Sequence, residues 1–180
     1  MYCPMRISTL KNIVQASICV LPLMFSCSFP LLAQDKALGS FRDWSAHTFP
    51  EGGNIVCSMW SQPTKAEGKY KRRDEIYVFV THRPANDRLN EVSFHAGYLY
   101  KLDSEVTVVI DDETFSLFTK DSTAWNSDGK GDKAVIQAMR AGSRMVVKGI
   151  SKFGTLTTDT YSLLGFTAAY RAINSACKIK

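Results

Sequence analysis

Two of the five cysteines in this 180-residue sequence are candidates for covalent chemistry. Cys57 and Cys177 lie in the body of the chain, whereas the others lie in the N-terminal stretch, at Cys3, Cys19 and Cys27. In an oxidising compartment an even number of thiols favours pairing, and the alternative is two separate buried thiols. No CxxC pair occurs, so a thioredoxin-like redox role has no support. We therefore predict a structural disulfide between Cys57 and Cys177.

The N-terminal stretch has the pattern of an export signal. Arg6 and Lys11 provide a positive start, and an apolar run over about residues 18–32 follows them. This run is too short and too close to the N-terminus to indicate a membrane span. We therefore expect a signal peptide over residues 1–33 and a single domain over residues 34–180, with no transmembrane segment in the mature chain.

The other polar groups that could do chemistry have simpler interpretations. His47, His82 and His95 are the only histidines, and none has a partner at the HxxxH spacing of metal ligands. Residues 111–113 are acidic but fall where a hairpin turn needs polar side chains. Residues 157–160 divide between the two faces of a strand, and no nucleophile elbow or phosphate loop occurs. We expect no catalytic residue, no metal site and no cofactor.

A basic segment at residues 69–73 is the candidate for binding. Lys69, Lys71, Arg72 and Arg73 could contact phosphates, lipid head groups or acidic glycans. The alternative is a solvated loop, since acidic residues flank the segment. The formal net charge is +5, and loss of the leader removes two basic residues and no acidic one. This mild basic charge in an exported chain does not point to nucleic acid as a partner.

The middle of the chain has the alternating pattern of β-strands. The strand over residues 75–80 is apolar on both faces, as in a strand that is buried on both sides. The strands over residues 106–110 and 114–119 are separated by an acidic turn, which predicts a hairpin. The predicted strands cover residues 75–80, 91–100, 106–110, 114–119, 145–148 and 154–162.

Two short helices interrupt the strands. Asp132 is predicted to cap the first helix, which ends before Gly142. The second runs over residues 166–177, and its apolar stripe includes Cys177. Residues 62–74 are polar and resemble a linker. The pattern predicts a mainly β domain, either an antiparallel sandwich or a partly open barrel, with two short helices of which one is C-terminal.

The chain resembles the invasion-associated locus B family of exported bacterial proteins, through the order and spacing of many short motifs. The motifs that carry the resemblance are Trp44, Cys57, Thr81-His82-Arg83-Pro84, Asn90-Glu91-Val92-Ser93, Ala96-Gly97-Tyr98, Ala124-Trp125, Ala138-Met139-Arg140-Ala141-Gly142-Ser143, Met145-Val146-Val147-Lys148-Gly149, Gly154-Thr155, Thr158-Asp159-Thr160-Tyr161-Ser162-Leu163, Gly165-Phe166 and Cys177. The resemblance covers nearly all of the mature chain and implies a periplasmic, outer-membrane-associated or secreted protein. Some relatives in this family are linked to host-cell invasion, and hence to virulence. The resemblance supplies no catalytic residue.

These observations favour an exported, non-enzymatic β domain that binds a component of the cell envelope or of a host surface. One alternative is an envelope hydrolase or transferase that uses polar residues scattered over several strands. Another is a structural or stress-protective periplasmic protein. The sequence does not separate this last alternative from a binding protein.

Overall fold

The computed structural model describes residues 35–179, and the predicted signal peptide lies outside the described residues. The strands are β1 (Lys36–Phe41), β2 (Trp44–Glu51), β3 (Asn54–Ser61), β4 (Lys65–Gly68), β5 (Tyr77–Arg83), β6 (Arg88–His95), β7 (Glu105–Ile110), β8 (Glu113–Lys120), β9 (Thr123–Trp125), β10 (Arg144–Ile150) and β11 (Leu156–Ser162). The helices are α1 (Gly129–Ala141) and α2 (Phe166–Ala176).

The eleven strands form one continuous sheet in the order β1-β2-β3-β5-β6-β9-β8-β7-β10-β11-β4. Every pairing between these strands is antiparallel. The sheet is not closed into a barrel, and β1 and β4 are its two edge strands. The predicted mainly β fold with two helices, one of them C-terminal, is confirmed.

Both halves of the sheet contribute to one apolar core. Met59 and Phe94 come from the first half, and Met145 and Tyr161 come from the second half. Helix α2 packs on β1, β2 and β3, which belong to the first half. There the Trp44 ring meets the ring of Phe166 edge-on at 4.9 Å between centroids. Burial of these large side chains is the main stabilising contribution to the fold.

Helix α1 begins one turn earlier than the sequence pattern predicts. Asp128, not Asp132, is the N-cap residue, because its carboxylate accepts the backbone N–H groups of Lys130 and Gly131 at 3.0 and 2.8 Å. Asp132 lies in the first turn of the helix and bonds elsewhere. Gly142 does follow the last helical residue, as predicted, although with extended backbone.

Two further boundaries differ from the predicted ones. Strand β6 ends at His95, because Gly97 adopts a φ of +70° and a Cβ there would lie 2.3 Å from the carbonyl oxygen of Asp74. The predicted linker over residues 62–74 contains strand β4, which pairs with β11. Polar residues suit this strand because it lies at the sheet edge, where charged side chains discourage further pairing.

Candidate functional site

The structure joins Cys57 to Cys177 in a disulfide, with 6.0 Å between their Cα atoms. Cys57 is fully buried on β3, and Cys177 immediately follows α2. The bond therefore attaches the end of the C-terminal helix to the sheet. The two cysteines are 120 positions apart in the sequence. Closing a loop of that length stabilises the fold by about 4–5 kcal/mol in the chain-entropy description.

A neutral hydrogen-bond network beside the disulfide also holds α2. The His82 ring is buried and accepts the Asn90 backbone N–H at Nδ1, 3.0 Å away. The proton of the ring is therefore on Nε2, which donates to Oδ1 of Asn174 at 2.7 Å. Tyr170 donates its hydroxyl to the Asn90 side chain at 2.5 Å. His82 thus links β5 to α2 and is a structural histidine.

The electrostatics of this network keep His82 uncharged. Burial lowers the pKa of His82, and the hydrogen bond to Asn174 opposes this effect only in part. The protonated ring would also direct a second N–H at the backbone N–H of Asn90. The spacing of the histidines excluded an HxxxH metal motif, but nothing in that spacing predicted the hydrogen bonds of His82 to Asn90 and Asn174.

The basic segment divides into three exposed residues and one buried residue. Lys69, Lys71 and Arg72 are exposed, and the nearest carboxylate to Arg72 is that of Asp74 at 3.8 Å. Arg73 points inward, with only 3% of its side chain exposed. The expectation that all four residues form one contact surface is therefore wrong for Arg73.

Arg73 is buried because a carboxylate and a carbonyl take up its donors. Its two terminal nitrogens donate to the two carboxylate oxygens of Asp159 at 2.6 and 2.5 Å, and Nε donates to the Ala96 carbonyl at 2.6 Å. The rings of Tyr70 and Tyr98 lie 5.5 and 4.9 Å from the guanidinium carbon. Such bidentate pairing between an arginine and a carboxylate is strong and specific.

Burial and Asp159 have opposite effects on the pKa of Arg73. Burial lowers the pKa of Arg73, but the hydrogen bonds and the charge of Asp159 outweigh it and raise the pKa overall. Burial raises the pKa of the neighbouring Tyr98 and Tyr161. Both oxygens of the buried Asp159 carboxylate thus accept hydrogen bonds from Arg73. This pair fixes the basic segment to β11 and does not form a reactive centre.

A row of paired positions crosses five neighbouring strands on the face opposite the core, and four of its five side chains are aromatic; we call it the aromatic row. Paired positions place Trp60 beside Phe79, Phe79 beside Ser93, Ser93 beside Trp125, and Trp125 beside Phe118. The rings of Phe118 and Trp125 stack at 5.9 Å, and Phe118 is 46% exposed. Large rings that remain in contact with water are typical of binding surfaces.

A cleft of about 580 Å³ lies beside the Phe118–Trp125 end of the aromatic row. Its lining residues come from β6, from β8 and β9, and from the start of α1, and they include Leu89, Lys120 and Asp132. We call it the Trp125 cleft. Its volume lies in the range of small-ligand sites. Most of its wall is polar, with four carboxylates and two basic side chains beside the apolar Leu89, Phe118 and Trp125.

Asp132 is a carboxyl group in the Trp125 cleft that two hydrogen bonds hold in place. Its Oδ1 atom accepts the Val92 backbone N–H at 3.2 Å and the Asn126 side-chain N–H at 2.9 Å. Burial raises the pKa of Asp132, and these two hydrogen bonds oppose the change. The carboxyl group is therefore held in one orientation, and neither bond uses its second oxygen. The sequence pattern assigned Asp132 to the helix cap, and only the fold reveals the cleft.

The remaining acidic residues and histidines do not form a ligand cluster. Asp111 has a φ of +46° in the turn before β8, and its carboxylate accepts the Ser143 backbone N–H at 3.2 Å. Within residues 35–179, no three His, Cys, Asp or Glu side chains are grouped as metal ligands would be. No helix in the same range is long and apolar enough to cross a membrane.

These features define a disulfide-bonded β domain in which one open antiparallel sheet carries two helices. The family model described as "Invasion associated locus B (IalB) protein" matches residues 44–174. The chain therefore belongs to the invasion associated locus B family. The predicted family resemblance is confirmed.

A solved structure shows the same fold. The crystal structure of invasion associated protein B from Bartonella henselae matches with a TM-score of 0.53 at 17% sequence identity. The match covers 78% of this chain and 96% of that chain. At this level of identity, the likeness concerns the fold alone. No protein with a curated description matches this chain.

Proposed function

We propose that this protein is an exported, non-enzymatic binding domain that contacts a component of the cell envelope or of a host surface through the Trp125 cleft. The observation that carries the proposal is the cleft itself, because it places the exposed Phe118 ring and the half-buried Trp125 ring next to a preoriented carboxyl group. Polar groups that are already held in position bind a ligand at a lower entropic cost. The stacked rings supply an apolar contact area that water otherwise covers.

Export is supported by three observations of different kinds. The family consists of exported proteins, the N-terminal residues have the pattern of a signal peptide, and Cys57 and Cys177 are joined. Disulfides persist in the periplasm and outside the cell, but are rare in the cytosol. We accordingly place the mature domain in the periplasm, on the outer membrane, or outside the cell.

Site-specific photo-crosslinking in living cells tests the binding role of the cleft. A photoreactive phenylalanine analogue replaces Phe118 in the cleft wall, or Thr114 as an exposed control on the same strand. We expect a discrete adduct from position 118, no such adduct from position 114, and loss of the adduct when Trp125→Ala is added. Equal adducts at both positions, or none from position 118, would contradict the proposal.

A hydrolase is the second candidate, because burial raises the pKa of Asp132 within the cleft. A half-buried carboxyl with a raised pKa is a feature that general acids share. A hydrolase screen on the exported protein, with Asp132→Asn as the comparison, separates the two functions. Robust turnover that Asp132→Asn abolishes would establish an enzyme and overturn the non-enzymatic role.

A further inference from the structure

Two loops with exposed apolar residues lie side by side, and the proposed function does not use them. The first follows β6 and includes residues 99–103, and the second joins β10 to β11 through residues 151–155. The Lys101 backbone N–H donates to the Ile150 carbonyl at 2.9 Å, and that of Lys152 donates to the Leu99 carbonyl at 2.8 Å. These bonds hold the two loops together as one unit, which we call the loop pair.

The second loop is a well-bonded turn. The Ser151 hydroxyl oxygen accepts the backbone N–H groups of Phe153 and Thr155 at 3.3 and 3.2 Å. Gly154 supplies the φ of +83° that the turn requires. The side chain of Phe153 is thus presented to the solvent by an ordered backbone.

The loop pair presents the most exposed large apolar side chains of the described chain. Leu102 is 85% exposed, Phe153 is 84% exposed, and Leu156, where β11 begins, is 71% exposed. Leu99 adds a side chain that is 45% exposed. Moving any of these side chains out of water would lower the free energy of the system. A cluster of this kind on an exported domain marks a surface that another phase or molecule covers.

Three lysines and two acidic side chains border these apolar residues. Lys101 and Lys152 belong to the loops, and the Nζ atom of Lys152 lies 5.0 Å from the centre of the Phe153 ring. Lys120 lines the recess between the first loop and β8, together with two acidic residues, Asp103 and Asp121.

The basic segment adjoins the same surface. Gly68 on β4 pairs with Thr157, one residue beyond Leu156, so Lys69 emerges next to that leucine. The exposed Lys71 and Arg72 follow in the chain. The segment is a dense run of positive charge in the sequence, and the fold brings its start beside the loop pair.

We propose that the loop pair and Lys69 dock the domain on the surface of a bilayer that contains anionic lipid. The apolar side chains enter the boundary between headgroups and acyl chains, and the lysines stay among the headgroups. The lysine stems can lie along apolar surface while their ammonium groups reach the lipid phosphates. Protruding leucine and phenylalanine side chains suit a bilayer better than a soluble polyanion, because a polyanion offers the lysines charge but gives the leucines no apolar phase.

A vesicle-flotation experiment tests this proposal. The protein is expressed as the full coding chain, exported, and purified from the periplasm of the expression host. It is mixed with vesicles of phosphatidylcholine alone, or of phosphatidylcholine with phosphatidylglycerol. We expect flotation with the anionic vesicles, little with the neutral ones, and release as salt rises, because exposed charges are screened over about 8 Å at physiological ionic strength.

Three variants separate the contributions. Leu102→Gln with Phe153→Gln should weaken binding to anionic vesicles at least tenfold, and Lys101→Gln with Lys152→Gln should weaken it about thirtyfold, or about fivefold for each lysine. Leu164→Gln is the matched control, because Leu164 is 62% exposed but follows the opposite end of β11. We expect the control to bind as the unsubstituted protein does. The substituted side chains are exposed, so the fold should be retained, and circular dichroism checks this.

A fluorescent variant gives a second measurement that does not depend on loss of binding. Phe153→Trp should show a blue shift with anionic vesicles and quenching by brominated acyl chains. Absence of flotation with anionic vesicles, undiminished flotation of the Leu102→Gln/Phe153→Gln protein, or an unshifted Phe153→Trp signal would each overturn the proposal. Heparin binding that persists in the Leu102→Gln/Phe153→Gln protein, without flotation, would assign the lysines to a soluble polyanion instead. Cross-links from position 118 test the Trp125 cleft separately, so the two proposals can fail independently.

Discussion

Helix α2 and strand β4 are both peripheral elements, but different chemistry attaches each of them to the sheet. Helix α2 is held by the Cys57–Cys177 bond and by neutral hydrogen bonds through His82. Strand β4 and the segment after it are held by backbone pairing to β11 and by the Arg73–Asp159 ion pair. The attachment of α2 therefore depends on redox state and pH. The attachment of β4 depends on the charges of both Arg73 and Asp159. Each dependence can be tested.

Loss of the disulfide should have the largest effect. The Cys57→Ser/Cys177→Ser protein should lose about 4–5 kcal/mol of unfolding free energy, because the unfolded chain is no longer closed into a long loop. Urea denaturation with and without reductant measures this loss. Thiol labelling of denatured, unreduced protein should find neither Cys57 nor Cys177 free, and labelling at both would contradict the disulfide.

Removal of one charge from the buried pair should cost nearly as much. Asp159→Asn leaves Arg73 buried without its counter-charge and should destabilise the fold by about 3–5 kcal/mol. Arg73→Met with Asp159→Leu should recover most of this loss, since no buried charge then remains. Urea denaturation measures both proteins. Arg72→Met is the control, and a cost for Asp159→Asn no larger than for this control would show that the pair is unimportant.

The pH dependence should report on the His82 network. The folded pKa of His82 lies below its unfolded value of about 6.5, so the unfolded chain binds a proton that the folded chain does not. Stability should therefore be fully present above about pH 6.5 and should fall as the pH drops below it, at up to about 1.4 kcal/mol per pH unit for each histidine.

His82→Gln should reduce this slope, because glutamine does not titrate. Unfolding free energies between about pH 7.5 and pH 5 give the comparison. Burial also lowers the pKa values of His47 and His95, so His95→Gln should reduce the slope as well and gives the comparison for a half-buried histidine outside the network. A slope that His82→Gln leaves unchanged would show that the network does not exclude the proton.

The exposed part of the basic segment should have the smallest effect on stability. Replacing Lys69, Lys71 and Arg72 with Gln should change the unfolding free energy by less than about 0.5 kcal/mol, since these side chains are solvated. The same protein should bind anionic vesicles less tightly than the unsubstituted one. Adding Arg73→Gln should unfold the edge of the sheet, which hydrogen exchange in β4 would detect. If replacing Arg72 and replacing Arg73 changed the unfolding free energy equally, the distinction between an exposed and a buried arginine would be wrong.

The local sequence pattern predicted those features that depend on residues close together in the sequence. Alternating apolar residues placed most of the central strands, and helical spacing placed residues 166–177 close to the observed α2. The two thiols, both at apolar positions, led to the pair that the structure contains. These features follow from periodicity and composition, which are properties of short segments.

Tertiary structure alone decided which polar residues are buried. Nothing in the run of basic residues distinguishes Arg73 from Arg72, but Asp159, 86 positions later, neutralises only the former. Asp132 resembled a helix cap until the fold brought Val92 and Asn126 to it. In the same way, hydrogen bonds between two distant loops place Leu102 and Phe153 on one surface. The sequence by itself determined six of the eleven strands, the C-terminal helix and the disulfide partners, whereas burial, charge pairing and surface clusters depend on contacts between residues far apart in the chain.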